Sequence, residues 1–267
     1  MAKGKVQVNY LGQESQITSM DAPDYDFLYE CSSVKDAEHN IGDRVILPDG
    51  REFRYAKSTG SNALYAAHGC GFTYTGLVSY TAFATSHAVG SKEITIPAAT
   101  HAALTKDELR GGYVIIFDGA SDYATTVRQI IGNDASTANT AFNVTLDAAI
   151  TNAIVSGTEA AEVYRNPYAA LDIAASDKPV AGLPATYVSA AAQYFWVQVK
   201  GICWVAPQTG VGDANGQEGA FWRHDGSLDE ADTALATTVP AGSSSQYAGH
   251  VVTGSQSGNG PLFNLLG

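Results

Sequence analysis

The chain has little charge, few basic residues and little sulfur. Of its 267 residues only 16% are Asp, Glu, Lys or Arg, against roughly 25% in ordinary soluble domains. Fifteen Lys and Arg face 27 Asp and Glu, a formal charge of −12. Beyond Lys200 the sole basic side chain is Arg223, set among Asp213, Glu218, Asp225, Asp229, Glu230 and Asp232. A field of that sign repels a phosphate backbone, so no nucleic-acid partner is expected, and the acidic end is left to water or to a basic surface. Three cysteines, Cys31, Cys70 and Cys203, have no CxxC spacing and cannot build a disulfide framework, which predicts reduced thiols and assembly in a cytoplasm. No stretch reaches the roughly 18 apolar residues of a membrane span, and the opening MAKGKVQVNYLGQ lacks the apolar core of a signal peptide. No membrane association is expected.

Catalytic motifs are also missing. There is no GxSxG elbow, no P-loop and no HExxH, and Gly210, Gly212 and Gly216 have the wrong spacing for a phosphate cradle. His224 and Asp225 beside Ser227 are neighbours only along the chain, whereas triads are assembled in space. Acids are plentiful, but a glycosidase pair is defined by a separation that sequence does not place. The expectation is a protein that is not an enzyme and carries no cofactor.

What the chain does have is β pattern and turn chemistry. Glycine makes up about a tenth of it, with 27 residues, above the usual ~7%. Val6, Val8 and Tyr10 alternate with Gln7 and Asn9, the period of a half-buried strand, and residues 1–40 read as an extended N-terminal arm. Around Pro48, Asp49 and Gly50 two β-type runs meet at a turn, because Pro presets φ and Gly accepts φ > 0. Residues 69–98 read as two or three short strands. Thr105 to Glu108 fits a capping box and a single helical turn, stopped by Gly111 and Gly112. YVIIFDG, Tyr113 to Gly119, is apolar without alternation and reads as a strand covered on both faces. VRQIIGN and FNVTL read as the next strand pair, Asp147 to Gly157 as a short helix, and the segment from Ala181 to Gln193 as a long loop. Residues 207–245 read as a loop excursion with one apolar island at Phe221 and Trp222, and the C-terminal run from Ala248 as a closing hairpin. These readings sum to a mainly β protein: a barrel or sandwich-like domain over 41–267, with short helical turns and the arm before it.

Possible ligand sites are few. His68 and Cys70 lie two apart and would face one way on a strand, with His39 or Cys31 as further metal ligands, but the second pair that tetrahedral zinc requires is missing. Asp213, Asn215, Gly216 and Glu218 are a fragment of a calcium loop without its spacing, and Asp225, Asp229, Glu230 and Asp232 are an acidic run that suits a solvated surface. No metal is assigned. The sequon Asn143 to Thr145 reads as part of a strand.

The densest apolar stretch is QYFWVQVKGICWV, Gln193 to Val205. As a strand it points Phe195, Val197 and Val199 to one side and Tyr194, Trp196, Gln198 and Lys200 to the other, with Gly201 a bend or bulge. Tyr194, Trp196 and, from the later island, Trp222 are therefore candidates for a subunit interface, where aromatics are enriched. The alternative is a sugar-stacking platform.

In order along the chain, DGREFRYAKSTGSNAL, DELRGGYVIIFDG, IIGN, NPYAAL, YFWVQVKGICWV and AGHVVTGSQSGNGPLFNLL resemble the head decoration, or capsid cement, proteins of tailed bacteriophages and cyanophages. The likeness runs from about Gly42 to Leu265, and the arm and residues 207–245 have no counterpart in it. It implies a β-rich, often trimeric structural protein on the outer surface of the virion head, assembled in the host cytoplasm. Its partner would be the major capsid protein, whose subunits it bridges, with Val6, Val8 and Tyr10 of the arm as candidate capsid contacts. A carbohydrate- or receptor-binding virion component using exposed aromatics is the alternative.

Overall fold

The computed structural model describes residues 24–60, 62–119, 123–175, 178–206, 211, 219–230, 246–253 and 262–266. Its strands are β1 (Arg44–Ile46), β2 (Glu52–Lys57), β3 (Cys70–Phe72), β4 (Gly76–Ala82), β5 (Glu93–Ile96), β6 (Tyr113–Asp118), β7 (Tyr123–Asn133), β8 (Phe142–Leu146), β9 (Ala160–Tyr164), β10 (Leu171–Ile173), β11 (Val180–Pro184), β12 (Tyr194–Trp204), β13 (Gly219–Trp222), β14 (Leu228–Glu230), β15 (Gln246–Thr253) and β16 (Leu262–Leu265). They make two curled antiparallel sheets, each a half-barrel, so the chain is mainly β. Helical structure among the described residues is limited to 3-10 turns at Asp26–Tyr29 and Pro167–Ala169.

The smaller sheet runs β4-β9-β6-β7-β8-β5, and the larger runs β10-β3-β11-β12-β16-β15-β13-β14, with β2 also on β12 and β1 on β2. The smaller sheet is an insertion between β3 and β10, and it has its own core. Val78, Phe83, Ile94, Ile96, Val114, Ile130, Val144 and Val163 pack together there with no member from the larger sheet. The chain enters and leaves this unit at a two-stranded neck. Thr73 N–H donates to Ala170 O at 3.1 Å, and Arg165 N–H donates to Thr75 O at 2.9 Å. Asn166 braces the neck from the side, its Nδ2 donating to Ile41 O at 3.0 Å.

Local chemistry explains the elements that sequence anticipates. Between β1 and β2 Gly50 takes φ +86°, and Arg51 N–H donates to Asp49 Oδ1 at 3.1 Å, the side-chain turn that Asp favours. β15 and β16 form the closing hairpin, and β7 pairs with β8. Thr105 N–H donates to Glu108 Oε2 at 2.9 Å, the reach-back half of the capping box, and Gly111 stops the turn at φ +80°.

Five expectations need correction. Residues 24–40, expected within the extended arm, are packed: Leu28 is fully buried beside Tyr55 and Trp196, and Ser32 exchanges backbone hydrogen bonds of 3.0 and 2.7 Å with Tyr194. Asp147 to Gly157 forms no helix, because Ile150 and Ile154 donate their N–H groups across to Ser91 and His87 instead of back along the segment. β6 is covered on one face only; Val114 and Ile116 point inward while Tyr113 is exposed. The expected loop before β12 contains β11, and the excursion expected at 207–245 contributes β13 and β14 to the large sheet.

Candidate interaction surface

β12 is the hub of the large sheet, paired with β2, β11 and β16. Phe195, Val197 and Val199 enter one hydrophobic cluster while Trp196 enters another, so both faces of its first half are covered. Trp196 sits at 4.9 Å from the His39 ring and 5.6 Å from Phe27, edge-on to both. Tyr194 stacks on Tyr55 at 6.0 Å with Lys57 Nζ 5.2 Å from its ring. Trp196 and Trp222 keep only 2% and 6% of their surface. Side chains so buried cannot reach a second subunit or stack on a sugar, which corrects the interface role expected of them. Val6, Val8 and Tyr10 lie outside the described residues.

Exposure appears where β12 runs past its cover. At Gly201, φ +94°, an added Cβ would lie 2.8 Å from Arg51 Cα, so the strand turns there as expected of a bulge. Beyond it Cys203 faces Phe263 and the core, while Ile202 and Trp204 point outward at 39% and 47% exposure. Trp204 is opposite Leu262 in the ladder, itself 41% exposed, and Ile202 is opposite Asn264, whose other neighbour is His250. The outward face around Trp204 thus presents Ile202, Trp204, Leu262, Asn264 and His250, with no acid and no Lys or Arg among them. Lys200, exposed one alternation earlier, bounds it.

The other groups singled out by sequence are spent on the fold. Cys70 donates to Gly182 O at 3.4 Å, Cys31 donates to Gln193 Oε1 at 2.8 Å, and His39 lies in the aromatic stack, so these side chains do not converge with His68. No cluster of three or more metal-binding side chains occurs among the described residues. Burial pushes the Cys70 and Cys203 thiols up to about 12 and raises Cys31 as well, which keeps them protonated rather than nucleophilic. Asp229 pairs with Arg223 at 2.6 Å. Burial raises the Asp225 carboxyl, yet hydrogen bonds from Ser227, with the charges of Arg223 and His224, bring it below its ordinary value. Asp213, Asn215, Gly216, Glu218 and Asp232 lie outside the described residues. Asn143 is a β8 residue that accepts from Thr95 Oγ1 at 2.8 Å.

Sequence reasoning missed Trp204 as the exposed aromatic. The tryptophans of β12 look alike in sequence, and what separates them is distant: residues 25–39 lie over Trp196. Comparison with protein-family models, with curated proteins and with solved structures gives no match to this chain.

Proposed function

We propose that the protein is a structural virion component that binds the outer surface of a phage head and stabilises the capsid by bridging major capsid protein subunits, as a homotrimer. The observation that carries this reading is the outward face around Trp204, where a half-exposed tryptophan and two aliphatic side chains lie together without a formal charge. Depletion of charge and enrichment of aromatics mark the centres of protein contacts. We assign this face to contact between copies. Molecules carrying −12 each repel at long range, so the surface on which they meet must gain its stability from apolar burial. The resemblance to capsid cement proteins supports the lattice partner. A protein that binds only the mature shell stabilises it by mass action, and symmetry repeats each modest contact many times.

The test is the copy number of the chain relative to the major capsid protein in purified particles, by quantitative mass spectrometry. A ratio near unity is expected, and absence from particles overturns the reading. In solution Trp204→Glu should convert the oligomer to monomer, read by light scattering, with an unchanged β signature in circular dichroism. An oligomer that survives the charge removes this face from assembly.

A further inference from the structure

The two halves of the inserted sheet treat their outward face differently. On β5 and β8 the outward positions are Glu93, Thr95, Asn143 and Thr145, the polar-out alternation of a sheet that meets water. β6 and β7 break that rule. Tyr113, Ile115 and Phe117 point outward along β6, and Val127 and Ile131 along β7 with Gln129 between them. These side chains are contiguous. Ile115 lies beside Val127 in the ladder, Tyr113 lies between Gln129 and Tyr164, and the Tyr164 ring meets Tyr74 edge-on at 6.2 Å. Val127 is 54% exposed and Tyr74 77%. An apolar run without alternation is what a strand covered on both faces carries, so β6 is written for a second cover that the described residues do not provide.

Size and charge identify the occupant. At about 200 Å² for a whole aromatic side chain and about 100 Å² for an aliphatic one, Tyr74, Tyr113, Val127 and Ile131, with the half-buried Ile115 and Phe117, present roughly 400 Å² of apolar surface. One side of a standard protein contact is about 800 Å², a little over half of it apolar. The patch therefore matches the apolar centre of a contact with a folded protein. It lies on the outside of a half-barrel, where no concavity encloses a small molecule. The formal charges around it are all of one sign. Glu162 stands beside Ile115 and accepts from the Tyr164 hydroxyl at 2.8 Å. Glu93 is exposed on β5, and the exposed Asp147 borders Gln129. Arg128 turns to the other face, where its Nε and Nη2 donate to Ala149 O at 3.2 and 2.9 Å. Across residues 76–164 four Lys and Arg stand against nine Asp and Glu, a net −5. A second copy of the chain would bring acid against acid here, which costs affinity, whereas Lys and Arg at the rim of a different protein would meet these carboxylates.

We infer that the outward face of β6 and β7 docks on the shell, against a protein surface with an apolar centre and a rim of Lys and Arg. The shell as occupant rests on the capsid reading above; the chemistry of the contact rests on this face. The probe is the mature phage head assembled without this chain. It is titrated with the full chain and followed by co-sedimentation, while light scattering follows the oligomer. Val127→Glu should keep the oligomer and the β signature in circular dichroism. It should weaken binding to heads by about tenfold or more, because it buries an unpaired acid in the apolar centre. Glu162→Gln, which keeps an acceptor for Tyr164, should weaken binding less and flatten its decline with added salt. Binding that both variants leave unchanged overturns the inference while the capsid reading stands. Loss of the oligomer in Val127→Glu overturns it in favour of a second copy. Heads that take up neither the unchanged protein nor the variants overturn the capsid reading and this inference with it.

Discussion

Gly201→Ala tests whether the bulge in β12 is a steric requirement. Two costs add at this position. At φ +94° an L side chain is in left-handed backbone, which costs about 1–2 kcal/mol. The new Cβ also lies 2.8 Å from Arg51 Cα and 3.2 Å from Arg51 N. Those are backbone atoms that no rotamer change moves aside, and overpacking of this kind costs about 1–3 kcal/mol. The total is about 3 kcal/mol, and at about 2–4 °C per kcal/mol for chains approaching this size Tm should fall by about 6–12 °C. Gly50→Ala is the internal reference: Gly50 has a similar φ of +86° but nothing within 4 Å of its Cβ position, so only the backbone strain applies. Calorimetry of both variants beside the unchanged protein separates the two costs. Equal losses for Gly201→Ala and Gly50→Ala would refute the claim that β12 bends to clear Arg51.

Asn133 is buried and holds three backbone groups, accepting from Leu109 N–H at 2.8 Å and donating to Thr105 O and Asp134 O at 3.0 and 2.8 Å. Asn133→Ala should cost about 3 kcal/mol, chiefly by leaving Leu109 N–H buried without its acceptor, seen as a lower urea midpoint at unchanged slope; an unchanged midpoint would contradict it. His87 accepts from Thr95 N–H through Nε2 at 3.1 Å, and burial lowers its pKa below the ordinary 6.5. The unfolded chain then takes up this proton first, so the contribution is complete above about pH 6.5, declines as pH falls below it and levels off once the folded form is protonated too. His87→Gln, which keeps an acceptor, should flatten that part of the Tm profile between pH 7.5 and 5, and an identical slope in both proteins would exclude His87 as its source.

Legibility followed how local the deciding interaction is. Pro48 to Gly50 was readable because turn chemistry sits within a few residues of the strands it joins. The same holds for Gly201, where a glycine inside an aromatic run marks a close backbone approach. Asp147 to Gly157 misled because Ile150 and Ile154 have helical spacing, yet their N–H groups are claimed by residues about sixty positions earlier. β6 read as doubly covered because Tyr113, Ile115 and Phe117 are as apolar as the inward Val114 and Ile116. Trp196 was assigned to a surface because its cover, Phe27 and His39, comes from a segment whose polarity suggested an unpacked arm. The insertion of residues 76–164 left no mark in composition, since Thr73 and Thr75 join β3 to β4 without a linker-like break.

That insertion has a mechanical consequence for the bridging role proposed above. Bridging requires two surfaces on one chain, held at a separation that does not collapse. The outward face around Trp204 belongs to the large sheet, and the two sheets bury separate cores. Their connection is a two-stranded neck braced by Asn166, whose side chain occupies the space that a Cβ at Gly42 or Gly111 would need. A joint of that kind costs little loop entropy on binding. In the proposed role, a second contact made by the inserted sheet would then form at high effective concentration once the first is engaged.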